Sequence, residues 1–189
     1  MRYSLFLMLF LISCSQIQQK VIPPVISADP PVFNDLSVEY TVCTGEGIIT
    51  SRGMYSGQLR FRFTSGIDST RIRFSDILGR QVLEIRMNGD SLTAQDLLKN
   101  QKYSTRQLVS RLPVLKLFTV RDLRDALWGI PPVPSTYDKI QTEVEIKLES
   151  EPTEYGVLLQ RIIVKGKKET NMVIQFLSRK MGHDISEFI

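Results

Sequence analysis

The segment 71–88 (RIRFSDILGRQVLEIRMN) constrains the fold more than any other part of the chain, because apolar and polar residues alternate along both of its halves. The apolar positions of this alternation are Ile72, Phe74, Leu83, Ile85 and Met87. A period of two residues is typical of β-strands that bury one face. The segment therefore predicts a β-hairpin with its turn at 76–79.

The predicted turn carries two aliphatic residues where a polar sequence is expected. Ile77 and Leu78 stand between Asp76 and Gly79, and side chains at a hairpin tip have no core to enter. An exposed apolar tip indicates a binding surface, unless the two residues are there by chance.

The same criteria predict strands along much of the remaining chain, at 45–50, 54–64, 91–97, 102–105, 143–148, 157–165 and 172–177. A helix is predicted at 120–128, because Thr119 and Asp122 have the spacing of a capping box. Shorter helices are predicted at 108–112 and at 32–42, where an alternating pattern leaves a strand open as well. The order of these elements predicts an α+β domain built on an antiparallel sheet.

The length and composition fit one globular domain, which we place at 32–189. The chain has 189 residues, of which 42% are hydrophobic and 23% are charged, as is usual for a domain with its own core. The net charge of +4 is small and evenly spread, which argues against nucleic acid as a partner. It is compatible with an anionic lipid surface.

The first residues resemble a lipoprotein signal peptide, at 1–13. The apolar run 5–12 follows a positive charge, and it is too short to cross a bilayer and typical of a secretory signal. The sequence LISC, which ends in Cys14, resembles a bacterial lipobox. This resemblance implies cleavage before Cys14, attachment of diacylglycerol and a palmitate-type acyl group, and, with Ser15 next, sorting to the outer membrane. An ordinary signal peptide that contains a cysteine is the alternative.

Residues 14–31 contain four prolines and no sustained period, which predicts a lipidated, flexible tether. Two acyl chains anchor a protein stably to a membrane where one does not. We therefore expect a domain held at the periplasmic face of the bacterial outer membrane.

Residues suited to catalysis or metal binding are sparse. His183 is the single histidine, and Cys43 is the single cysteine besides Cys14, which argues against a catalytic triad and against a zinc site of His and Cys ligands. We predict that the protein is not an enzyme and uses no metal or cofactor. Cys43 is predicted to be a small, partly buried residue, with a reactive thiol as the alternative.

Paired charges are predicted to lie on solvated faces. The carboxylate pairs are Asp122 with Asp125 and Glu143 with Glu145. The arginine pairs, which are predicted to form a basic stripe on one face of the sheet, are Arg60 with Arg62 and Arg71 with Arg73. For this stripe, a solvated outer face and an anion site are both open.

Four features of 59–132 occur in a characteristic order. They are the strand LRFRF at 59–63, the strand, tip and strand at 72–85, Tyr103 after a polar turn, and the helix end LRDALWGIP at 123–131. Together with the lipobox, they resemble the LolB family of outer-membrane lipoprotein receptors, which accept lipoproteins from a periplasmic carrier and insert them.

The resemblance implies the LolA/LolB lipoprotein-carrier fold, an incomplete antiparallel β-barrel whose open side is covered by helices. It implies an apolar cavity for acyl chains, for which the candidate lining residues are Leu59, Phe61, Phe63, Ile72, Phe74, Leu83, Ile85, Leu123 and Leu127. It also implies that Leu78, with Ile77 and Gly79, forms a loop that enters the membrane. The expected partners are acylated lipoproteins or lipids, the membrane and a periplasmic LolA-like carrier, with the protein itself a monomer.

The sequence departs from the family at three places. Ile77 stands where the family often has proline, and Trp128 lies later in its helix than the family's tryptophan. The late strands look shorter than closure of the barrel requires.

Two other functions fit the same residues. The protein could carry or sense lipid without inserting lipoproteins, or it could be a structural envelope lipoprotein with a solid core.

Overall fold

The computed structural model describes residues 33–53, 56–111, 118–132, 144–166 and 171–188. The predicted signal peptide, Cys14 and the tether lie outside these residues. No helix in the described part of the chain is both long enough and apolar enough to span a bilayer.

In the described residues, nine antiparallel strands form one sheet, in the order β6-β5-β4-β3-β2-β1-β9-β8-β7. The strands are β1 Val42–Arg52, β2 Gly57–Gly66, β3 Ser69–Ser75, β4 Gln81–Asn88, β5 Ser91–Asp96, β6 Gln101–Ser104, β7 Val144–Thr153, β8 Gly156–Gly166 and β9 Asn171–Gly182. The helices are α1 Thr105–Arg111 and α2 Val120–Leu127, with 3₁₀ turns at Leu36–Val38 and Ile185–Phe188. Within the described residues β6 and β7 are unpaired at the two edges, so the sheet is open.

The molecule is therefore mostly antiparallel β-sheet with few helices. An incomplete barrel was predicted, and the open sheet agrees with it, whereas the helical part of the predicted α+β class is small. The α1 helix packs against β5 and β6, and α2 packs against β2.

The predicted hairpin is confirmed as β3 and β4. Ile72 lies opposite Ile85, and Phe74 lies opposite Leu83. These side chains point to the side of the sheet that carries most of the buried residues, here called the inner face. The period-two pattern was sufficient here because each strand finds its partner across a short local turn.

The late strands are longer than we predicted. β7, β8 and β9 have 10, 11 and 12 residues, and β9 continues to Gly182, beyond the strand predicted at 172–177. The backbone of β9 pairs with β1 along the whole length of β1. This long-range partner extends a strand whose local sequence does not indicate one.

The helix predicted at 32–42 is wrong except for one 3₁₀ turn. Asp35 caps this turn by accepting a hydrogen bond from the backbone N–H of Ser37 at 3.1 Å. The chain is already extended at Val42, where β1 begins. The alternating pattern, rather than the helical spacing, was the correct signal at the end of this segment.

Two glycines let aromatic rings lie flat over the centre of the sheet. A Cβ atom on Gly45 would come within 2.7 Å of the Phe63 ring, and one on Gly47 would collide with the Phe61 ring. The Phe61 ring in turn packs edge-on against Phe176, with 5.8 Å between ring centroids. A side chain at either glycine would therefore disrupt the core.

The capping box predicted for α2 is present. Thr119 Oγ1 accepts from the Asp122 backbone N–H at 3.1 Å, and the Asp122 carboxylate accepts from the Thr119 backbone N–H at 2.8 Å. Asp122 was predicted to be solvated with Asp125, but it is buried. Its hydrogen bonds at the helix start compensate for the loss of water around the carboxylate.

Candidate functional site

The loop between β3 and β4 is closed by one carboxylate. Asp76 Oδ1 accepts from the backbone N–H groups of Leu78 at 3.0 Å and of Arg80 at 2.9 Å. Its Oδ2 accepts from Arg80 Nε at 2.7 Å. Gly79 completes the turn with a φ of +80°, where a side chain would be strained.

The two aliphatic residues of this loop point into solvent, as the sequence predicted. Ile77 is 82% exposed and Leu78 is 74% exposed. The pair is hereafter called the tip. Because hydrogen bonds on both sides fix the backbone, the tip is a preformed apolar protrusion rather than an open coil.

Burial tends to raise the pKa of Asp76, but hydrogen bonds from the Arg80 side chain and backbone and from the Leu78 backbone outweigh it and hold the pKa below its ordinary value. The carboxylate is therefore ionised at neutral pH, and the loop keeps its hydrogen bonds there.

The tip lies at the end of the sheet where β3 ends and β4 begins, here called the tip end. Because the sheet is antiparallel, β1 also ends at the tip end. The strands β2, β7 and β9 begin there. The opposite end, where α2 packs, is here called the α2 end.

Half-buried aliphatic side chains cover the inner face at the tip end. Ile49 lies opposite both Leu59 and Ile174, so these three side chains share the inner face. The half-buried set is Ile49, Leu59, Leu83, Val144, Ile146, Leu148, Met172 and Ile174. It is called the apolar shelf below.

The shelf has the chemical character that acyl chains require. Its members are branched or flexible apolar side chains that keep part of their surface exposed, and a lipid tail gains free energy from any such surface without directional contacts. A polar ligand would find few hydrogen-bonding groups among them.

The structure divides the predicted lining residues into two groups. Six are buried in the core, namely Phe61, Phe63, Ile72, Phe74, Ile85 and Leu127. Three remain half-buried, namely Leu59 and Leu83 on the shelf and Leu123 on α2. The strand members of both groups lie on the inner face, but the aromatic ones pack against each other, with 6.0 Å between the ring centroids of Phe61 and Phe74.

Sequence reasoning missed most of the shelf. Ile49 and the members on β7 and β9 lie in segments predicted as strands, so their alternation was visible. Their position at the tip end of the sheet depends on the pairing of β9 with β1, which joins strands more than 100 residues apart in sequence. No local signal reports such a pairing.

The α2 end is closed by polar contacts between the helix and the sheet. Arg124 donates to the backbone carbonyls of Gly89 at 2.6 Å and Ile67 at 3.3 Å, which lie in two turns of the sheet. Trp128 Nε1 donates to Ser65 Oγ at 3.0 Å. These bonds hold α2 against the α2 end of the sheet.

Arg179 on β9 supports the end of the helix. Its Nε donates to the Leu127 carbonyl at 2.8 Å, and its Nη2 donates to the Ala126 carbonyl at 3.0 Å. Its guanidinium also lies 4.0 Å from the centre of the Phe176 ring. Burial lowers the pKa of Arg179 to about 10, so the group is still a cation at neutral pH. Its positive charge interacts favourably with the negative, C-terminal end of the α2 dipole.

Cys43 is buried beside the same helix end. Its thiol Sγ lies 3.6 Å from the Leu127 carbonyl oxygen, and burial raises its pKa to about 12, although Arg179 opposes this. A thiol so protonated and enclosed has the properties of a packing residue rather than a nucleophile. The sequence predicted partial burial, and the burial is complete.

In the part of the chain that the structure describes, no three His, Cys, Asp or Glu residues lie close enough together to hold a metal ion. No protein-family model and no curated protein matches the chain. Among solved structures, a LolA superfamily protein from Nitrosomonas europaea is similar, with a TM-score of 0.41 and 11% identity over 79% of this chain and 89% of that one. A likeness this distant carries no information on ligand or activity.

Proposed function

We propose that this protein is a lipid-anchored envelope protein that holds acyl chains on its apolar shelf and assists the insertion of lipoproteins into the outer membrane. In this proposal Cys14 carries the anchor, and the tip enters the lipid. The LolB-like order of motifs in the sequence suggested the role.

One observation carries the proposal. The exposed, preformed tip and the apolar shelf lie at the same end of one sheet. In this proposal, a hydrophobic cargo leaves the shelf at the end of the sheet where the tip enters the membrane.

The free energy gained by burying the tip in lipid is large enough to orient the domain at a membrane but too small to anchor it there. Full burial of one Ile or Leu side chain contributes about 1.5–3 kcal/mol. Two such side chains give a binding that is reversible, whereas two acyl chains give a stable attachment. The domain can therefore touch the bilayer and withdraw while the anchor keeps it close.

Leu78→Glu tests the tip. The carboxylate would have to lose its hydration on entering lipid, so we expect transfer of a lipoprotein to vesicles to fall at least tenfold, while the free energy of unfolding changes by less than about 0.5 kcal/mol because the site is exposed.

Ile67→Glu is the matched control. Ile67 is 58% exposed in the turn between β2 and β3, at the α2 end. This variant carries the same change of charge and polarity away from the tip, and we expect it to transfer normally. Equal activity of Leu78→Glu and the unmodified protein would refute the tip's role.

Native mass spectrometry of protein purified from membranes separates insertion from lipid carriage. Bound acylated protein is the outcome that the insertion function requires. Bound free lipid alone would favour a carrier or sensor, and an empty protein would favour a structural role.

A further inference from the structure

The outer face of strands β2, β3 and β4 is unusually cationic. The register places five arginines there with one carboxylate, Glu84, and Glu46 on the adjacent β1 lies 3.5 Å from Arg62. The five, called the arginine face below, are Arg60, Arg62, Arg71, Arg73 and Arg86. The prediction that the first four share a face is thus confirmed by the strand pairing.

Like charges face each other directly in this array. Arg62 lies opposite Arg73 across β2 and β3, and Arg71 lies opposite Arg86 across β3 and β4. Directly opposed like charges destabilise a sheet. An anion bound over the face would remove this repulsion.

Glu84 holds part of the array in place. Its side chain is only 8% exposed, and it accepts from Arg73 Nε at 3.0 Å and from Arg86 Nε at 2.6 Å. Arg71 Nε lies 3.9 Å from the same carboxylate. Burial tends to raise the pKa of Glu84, but the hydrogen bonds from Arg73 and Arg86 outweigh it and lower the pKa, so one fixed negative charge lies beneath three arginines.

The outward parts of these guanidinium groups remain available. Arg73 and Arg86 use only Nε in their hydrogen bonds, and their terminal nitrogens form none with the residues that the structure describes. About half of each arginine side chain is exposed. Terminal guanidinium nitrogens match the spacing of phosphate oxygens and bind them in pairs.

The outer face of β7 and β8 shows that this arrangement is local. There Lys147 and Arg161 both contact Glu149, at 2.6 and 2.9 Å, and Lys165 contacts Glu145 at 3.3 Å. Cationic and anionic side chains alternate on this face, so little net positive charge remains to attract an anionic ligand.

The arginine face and the tip belong to the same hairpin. Arg73 is five residues from Leu78, so at most about 17 Å of extended chain separates them. When the β3–β4 hairpin enters a bilayer tilted away from the membrane normal, the arginine face therefore lies against the lipid headgroups.

We propose that the arginine face docks on the phosphate groups of an anionic phospholipid surface and sets the angle at which the tip enters the membrane. This inference rests on the proposed function in that it needs the domain at a membrane. An array of exposed guanidinium groups spread over three strands suits a surface of many headgroups better than one small anion. The attraction to an anionic leaflet amounts to about fivefold in binding for each basic side chain.

Arginine modification by phenylglyoxal tests the inference residue by residue. The full-length protein is anchored in the membrane of vesicles made of phosphatidylcholine alone or of phosphatidylcholine with phosphatidylglycerol. After reaction with phenylglyoxal, the modified peptides are quantified by mass spectrometry. We expect modification of Arg71 and Arg73 to slow at least fivefold on the anionic vesicles only. Arg161, which is similarly exposed but paired with Glu149, serves as the internal control and should react equally on both.

Two variants sharpen the test. Arg62→Gln removes one charge that contacts Glu46 rather than Glu84 and is mostly exposed, and it should weaken the protection of Arg73 about fivefold. Arg161→Gln changes the net charge equally and should leave that protection intact.

Three results would overturn the inference. They are equal modification on both vesicle types, protection at Arg161 as strong as at Arg73, and full protection by soluble glycerol phosphate without vesicles, which would indicate a small-anion site. If protection is independent of lipid charge while Leu78→Glu still abolishes transfer, the arginine face fails and the proposed function stands. If protection depends on lipid charge while Leu78→Glu transfers normally, the arginine face stands and the tip's role in transfer fails.

Discussion

Arg179 shows how one residue can join a helix to a sheet. It is a cation at neutral pH, and its described partners are carbonyl and amide oxygens and the ring of Phe176 rather than a carboxylate. The Leu127 carbonyl has the Cys43 thiol as its other donor in the described residues, and the Ala126 carbonyl also accepts from the Gly129 backbone N–H at 3.1 Å, so Arg179 adds charged donors at the end of α2. The residue thus compensates for its own burial by hydrogen bonding to the helix end.

We predict that Arg179→Met lowers the free energy of unfolding by about 2–3 kcal/mol, because the buried Leu127 and Ala126 carbonyls each lose a charged donor. Arg179→Lys should lose less, since it keeps the charge but not the fork of nitrogens that reaches both carbonyls. Urea unfolding monitored by the fluorescence of Trp128 measures both values. Equal stability of Arg179→Met and the unmodified protein would contradict the assigned role.

The sequence offers no sign of this role. Arg179 lies in the segment after Ser178, where apolar residues are too few to indicate a strand. Its inward position follows from a register shift between β1 and β9 at Glu46 and Gly47. Irregularities of this kind reverse which residues face the core, and local patterning does not report them.

At the scale of elements, the β3–β4 hairpin depends on Asp76 for the shape of its tip. Replacing Asp76 by Ala removes the acceptor for two backbone N–H groups. Each such bond contributes about 1 kcal/mol, so we expect amide hydrogen exchange at Leu78 and Arg80 to accelerate at least fivefold. Exchange at Ile72 and Ile85 within the strands should not change.

Asp96→Ala provides the matched control. Asp96 accepts from the backbone N–H groups of Leu98 and Lys99 in the loop between β5 and β6. This variant should accelerate exchange in its own loop and leave the tip unchanged. Unaltered exchange at Leu78 in Asp76→Ala would mean that the tip is not ordered by this carboxylate.

The pH dependence of the tip follows from the same carboxylate. The folded-state pKa of Asp76 is lowered, so its contribution is fully present above its unfolded value of about 4 and is lost as the pH falls through the folded value. Below that pH, the unmodified protein should behave like Asp76→Ala at the tip.

Elements made by local contacts were the ones that the sequence predicted well. The hairpin and the capping box of α2 each involve residues that are close along the chain, so their patterns survive in any tertiary context. The length of β9 depends on its pairing with β1, a partner that is distant in sequence. The tip was therefore predictable as a feature, and the shelf beside it was not.

At the scale of the whole molecule, the two ends of the sheet have different roles. The α2 end holds the polar contacts of Arg124, Trp128 and Arg179 that join the helix to the sheet. The tip end holds the apolar shelf and the exposed tip. The α2 end thus stabilises the domain, while the tip end leaves apolar surface exposed for binding, as ligand sites commonly require.

Photo-crosslinking from neighbouring residues of one strand tests the central claim most directly. A photoreactive amino acid replaces Leu59, which lies on the shelf, or Arg60, which points to the outer face of the same strand. The full-length protein is then irradiated in the presence of a lipoprotein with labelled acyl chains. The account predicts label on the protein from position 59 and little from position 60. Equal labelling from the two positions, or none from position 59, would contradict binding of acyl chains on the shelf.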